Sequence, residues 1–110
     1  MTLAKALVLA STTFNNTDQL KLLGFTNLKH ALIDSRCSIL VRSFLYEHSI
    51  EMTEVNIRTI ASPETVYLFH DGHGNTETLL SLCDKWRQDG TQIYIFESSL
   101  IDPRGGWRPY

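Results

Sequence analysis

The chain predicts a single-domain α/β sandwich with a mainly parallel sheet, Rossmann-like or flavodoxin-like in general architecture. Two observations carry that reading. "KALVLA" (Lys5–Ala10), "TVYLFH" (Thr65–His70) and "TQIYIFES" (Thr91–Ser98) are short, near-continuous apolar runs, the pattern of strands buried on both faces. Between the last two, Asn75–Gln88 repeats Leu79, Leu82, Cys83 and Trp86 at helical spacing. That helix is long enough to carry a right-handed crossover between parallel neighbours.

The elements follow in order. Lys5–Ala10 is the first strand, and "STTFNNT" (Ser11–Thr17) is a loop whose small polar side chains bond their own backbone. "DQLKLLG" suits a short helical turn stopped by Gly24. Asn27–His48 reads as one helix, because Ile33, Cys37, Leu40, Val41, Phe44, Leu45 and His48 share a stripe. Residues 37–46 also alternate, so a strand there stays open. "IEMTEVNIRTI" (Ile50–Ile60) carries an irregular strand, broken by "ASPE". Asp89-Gly90 stops the second helix. The resulting order is β-α-β-β-α-β, one domain over residues 1–110, with 103–110 as an extended C-terminal tail.

Composition narrows the function classes. The 110 residues are 43% hydrophobic and 20% charged, with a formal net charge of −2. That is the make-up of one globular domain. The ten cationic residues are scattered, so no general nucleic-acid surface is expected. The apolar start "MTLAKALVLA" is too short to span a bilayer and lacks a cationic leader. The expectation is a cytoplasmic protein without a membrane partner. Cys37 and Cys83 lie in apolar patterns and read as two buried thiols. Their spacing matches no zinc motif.

The candidate site follows from topology. In a parallel sheet, loops at the strand C-terminal ends form the ligand crevice. Ser11, Thr12 and Thr13 would meet there with His70, Asp71, Gly72, Gly74 and Asn75, and with Glu97, Ser98 and Ser99. Gly72 and Gly74 permit close backbone approach to a ligand, and the helix start beyond Asn75 favours an anion. "GHGNTE" is neither a Walker loop nor a full dinucleotide fingerprint. The expected ligand is therefore a small anion, nucleotide-like in class, and no cofactor is named by the sequence. His73 is the candidate acid/base for hydrolytic or transfer chemistry, with Glu97 as a second group. His70-x-x-His73 fixes no third ligand, so no metal site is expected.

Other readings stand beside this one. A strand followed by His-Gly is similar to the caspase-like arrangement, but "ESS" occupies the place of the nucleophilic cysteine. No G-x-S-x-G elbow is present. The first alternative is a non-enzymatic interaction or regulatory protein with a vestigial pocket; the second is a degenerate hydrolase. The tail offers Arg104, Trp107, Arg108 and Tyr110, residue types favoured at interfaces, for a protein partner or homo-oligomer. The competing reading has the tail folded across the domain, with Trp107 filling an edge groove.

Overall fold

The computed structural model describes residues 5–15, 20, 27–70, 76–97 and 107–110; at 70, 76, 96, 97, 107 and 108 it describes the backbone. Six strands and two helices are present among them. In chain order these are β1 (Lys5–Ala10), β2 (His30–Asp34), α1 (Ile39–Glu47), β3 (Glu51–Val55), β4 (Thr65–His70), α2 (Thr76–Gln88), β5 (Gln92–Glu97) and β6 (Trp107–Pro109). They form one sheet ordered β3-β2-β1-β4-β5-β6. The first five strands are parallel, and β6 joins antiparallel at the edge. The α/β architecture with a parallel sheet is the one the sequence predicts. The order 3-2-1-4-5 is compatible with the Rossmann arrangement and differs from the flavodoxin order.

Alternate residues of the central strands feed opposite cores, as the period of two requires. Ala6, Val8, Ala10, Ala31, Ile33, Tyr67 and Phe69 pack with Val41 and Leu45 of α1. Leu7, Leu9, Val66, Leu68, Ile93 and Ile95 pack with Leu79, Cys83 and Trp86 of α2. With a helix on each face, both sides of β1 and β4 leave water, which is why their sequences read as unbroken apolar runs. No helix among the described residues is long and apolar enough to cross a membrane.

The largest departure from the sequence reading is at Asn27–His48, which is a strand and a helix rather than one helix. His30–Asp34 is β2, held between β1 and β3. A turn closes after it, with the Cys37 amide donating to the Asp34 carbonyl at 2.9 Å. Ser38, at φ −51° and ψ 139°, then caps α1 by accepting the Leu40 amide. The strand wins because it completes ladders on both of its sides, a non-local gain that local periodicity does not register. Residues 37–46, left open between helix and strand, hold the capping turn and most of α1. His30, read as a helix residue, opens β2 and meets Thr53 Oγ1 at 2.6 Å through Nε2. Among the described residues the element order is therefore β-β-α-β-β-α-β-β. Asp18–Gly24, apart from the buried Leu20, lies outside the described residues.

Both helices end alike. In α1 the Ile50 amide reaches back to the Leu45 carbonyl and Ser49 sits at φ 57°. In α2 the Thr91 amide reaches the Trp86 carbonyl and Gly90 sits at φ 96°. These are Schellman closures. The predicted Asp89-Gly90 stop is one of them; Ser49 performs the same turn without a glycine.

Candidate functional site at the strand C-terminal edge

The strand order reverses at β1. The chain proceeds from β1 outward to β2 and β3, then returns to place β4 on the opposite side of β1. In open α/β sheets such a reversal is where ligand crevices form, so the C-terminal ends of β1 and β4 are the candidate place. Ala10 is the register partner of Phe69, and His70 that of Glu97. The ends of β1, β4 and β5 thus stand side by side, as the sequence reading required. His70 and Glu97 are the last residues of β4 and β5, in strands the sequence reading also gave them.

Ser11, Thr12 and Thr13 form the turn beyond β1. The Phe14 amide donates to the Ser11 carbonyl at 3.1 Å, closing the turn. Ser11 is fully buried and its Oγ lies 3.3 Å from Thr13 Oγ1. Thr12 and Thr13 are exposed. Phe14 turns inward onto Phe69, with ring centroids 5.2 Å apart. This aromatic contact anchors the β1 loop to the strand beside it, leaving the two threonine hydroxyls at the surface. Asp71, Gly72, His73, Gly74, Asn75, Ser98, Ser99 and Arg104 lie outside the described residues.

The tail residues that are described belong to the domain. Trp107–Pro109 forms β6 against β5, and the Tyr110 amide donates to the Ile93 carbonyl. The Tyr110 hydroxyl donates to Asp84 Oδ1 at 2.6 Å, and Arg87 stands 4.9 Å from the ring centre. That hydrogen bond and the adjacent Asp84 charge push the phenol's pKa upward.

The same edge holds a pocket that the sequence reading missed. Asp34, Ser35, Arg36, Glu54, Val55, Asn56 and Arg58 enclose about 450 Å³ where β2 and β3 end. Asp34 is buried; its Oδ2 accepts the Arg36 amide at 3.4 Å and faces Arg36 Nε at 3.5 Å. Arg42 of α1 donates to the Asp34 and Ser35 carbonyls and pairs with Glu54 at 3.6 Å. The Arg58 amide donates to Asn56 Oδ1 at 3.0 Å. Reading Asn27–His48 as one helix hid the pocket, because it put Asp34 and Arg36 in mid-helix. The signal available was "DSRCS", a polar turn with a capping serine.

Both thiols are buried, one in each core, and neither is disulfide-bonded. Loss of hydration pushes each up to about 12, with Arg42 working in the opposite direction at Cys37 and Asp84 adding to the rise at Cys83. Such thiols are protonated at neutral pH and unsuited to nucleophilic work.

The chain matches no protein-family model, no curated protein and no solved structure.

Proposed function

We propose that this protein binds a small anionic, nucleotide-like ligand at the C-terminal edge of its parallel sheet. The observation that carries the reading is the reversal of strand order at β1, beside β4. Crevices at such reversals are the preferred ligand sites of open α/β sheets. Thr12 and Thr13 are exposed in the turn after β1, and the glycine-containing stretch Asp71–Asn75 follows β4 in the sequence. His73 is assigned as the acid/base and Glu97 as its second group for hydrolytic or transfer chemistry. The register of His70 with Glu97 supports this pairing, since it starts the His73 segment next to the end of β5.

The test is a thermal-shift series with inorganic phosphate, AMP and ATP on the wild type and on Gly74→Val. A true ligand raises the wild-type transition with concentration, and the valine variant responds less. His73→Ala then separates the roles: turnover falls with binding retained if the imidazole moves a proton. Absence of any concentration-dependent shift sinks the reading. The interaction-protein alternative would then lead, favoured by Ile39 and Tyr46, which are 76% and 78% exposed one heptad apart on α1.

A further inference from the structure

We infer that Thr53, His30 and Glu51 form a second site, which hydrolyses short acyl esters with the Thr53 hydroxyl as nucleophile. It lies on paired β2 and β3 and is independent of the anion-binding reading.

Geometry supplies the first argument. His30 Nε2 meets Thr53 Oγ1 at 2.6 Å, and Glu51 Oε2 stands 3.4 Å from the other ring nitrogen, Nδ1. The carboxylate favours the proton on Nδ1, which leaves Nε2 to accept the threonine hydroxyl. Hydroxyl, imidazole and carboxylate thus stand in series, the arrangement that activates a nucleophile. Parallel pairing produces it. His30 is level with Glu51, and Leu32 with Thr53. Glu51 and Thr53 are alternate residues of β3, so both rise from one face, and the imidazole reaches both.

Access is the second argument. Leu32 packs against the α2-side core, and His30, an alternate residue of the same strand, shares its face. Residues 56–64, which join β3 to β4, contain no helix. Thr53 is exposed, and His30 keeps 29% of its side-chain surface in solvent. A reactant can reach the hydroxyl without movement of the fold.

A neighbouring cavity points to the substrate class. About 360 Å³ is lined by residues that include Lys5, Leu7, Leu32 and Pro63, within the roughly 300–1,000 Å³ of small-molecule sites. Lys5 is the register partner of His30, and Leu32 that of Thr53. The cavity therefore begins one strand spacing, about 4.8 Å, from the proposed nucleophile's strand. Leucine and proline in its lining suit a short apolar acyl chain.

The reaction has two halves. As Thr53 Oγ1 bonds to the ester carbonyl carbon, its proton passes to His30 Nε2. The bond from that carbon to the leaving alcohol then breaks, and the alcohol takes the Nε2 proton. Water adds to the acyl-threonine and gives a proton to Nε2. The bond to Oγ1 breaks, Oγ1 recovers the proton, and the carboxylic acid leaves. Glu51 is a positioning residue that holds the ring tautomer throughout.

The experiment follows p-nitrophenyl acetate hydrolysis by the full chain and locates the acetyl group by peptide mass spectrometry. Wild type, Thr53→Val, His30→Gln, Glu51→Gln and His48→Ala are compared, with circular dichroism as the check on folding. Valine keeps the shape and strand preference of threonine, so Thr53→Val is expected to fold. The expected result is an acetyl adduct on Thr53 that Thr53→Val abolishes. His30→Gln slows acylation about a hundredfold, as loss of a general base predicts. Glu51→Gln lowers kcat with KM unchanged. His48→Ala, which removes an exposed imidazole bonded to the Phe44 carbonyl, keeps the wild-type rate. Acetyl groups on lysines alone, or equal rates in wild type and Thr53→Val, overturn the inference. A loss in His48→Ala matching that in His30→Gln also overturns it, because hydrolysis would then belong to surface imidazoles in general.

Discussion

Ser38 Oγ donates to the carbonyl of Phe14 at 2.7 Å while accepting the amide of Leu40 at 3.2 Å. One hydroxyl therefore starts α1 and fastens the loop beyond β1. The two residues lie 24 positions apart, and the side chain between them is buried. The tie joins the β1 loop to the start of α1.

Ser38→Ala removes both bonds and leaves the Phe14 carbonyl to find another donor. A loss of about 1–2 kcal/mol is expected, the usual effect of deleting a cap. Urea denaturation checks it; an unchanged midpoint would show that water replaces the hydroxyl without penalty.

Ser49→Gly should stabilise the domain. Ser49 holds φ 57° where α2 uses Gly90 for the same closure. The gain is the Cβ strain released, less the extra freedom of glycine in the unfolded chain, and about 0.5–1 kcal/mol is the expected net. A raised thermal midpoint is the readout, and a lowered one refutes the strain argument.

Trp86→Ala and Leu82→Ala separate two depths of one helix. Trp86 is 2% exposed within the α2 core, whereas Leu82 is only partly buried against it. The tryptophan truncation should cost about 3–5 kcal/mol and the leucine truncation distinctly less. Equal losses in chemical denaturation would mean that the helix sits rotated from its described position.

Alkaline pH should unfold the protein through its buried thiols. Both thiols are held near 12 in the folded state against an ordinary value of 9.0. Folding thus keeps protons that the unfolded chain releases, and stability falls as pH rises from about 9 toward 12. Urea midpoints across that range should decline more steeply for the wild type than for Cys83→Ala. Parallel slopes would exclude Cys83 as a source.

How much of this was legible in the sequence depends on where each element draws its stability. "TVYLFH" and "TQIYIFE" announced β4 and β5, because strands buried on both faces need apolar side chains at every position. The Leu79–Trp86 spacing announced α2 for a similar reason. β2 was missed because "HALID" places its apolar residues so that they also continue the stripe of α1. Only pairing with β1 and β3 decides between the two. The candidate site divides the same way. Ser11, His70 and Glu97 were placed at one edge by strand order alone, whereas Arg58 joins Asp34 through a pairing of β2 with β3 that no local pattern encodes.

The division of the two cysteines between opposite faces has a practical consequence. Cys37 is sealed beneath the α1 layer and Cys83 beneath the α2 layer, with the sheet between them. Each is a native chemical reporter of a different half of the molecule. Under a slow thiol-modifying reagent, labelling at Cys37 times the lifting of one layer and labelling at Cys83 times the other. Matching rates mean the sandwich opens only as a whole; unequal rates reveal which side breathes first, without introducing a single foreign residue.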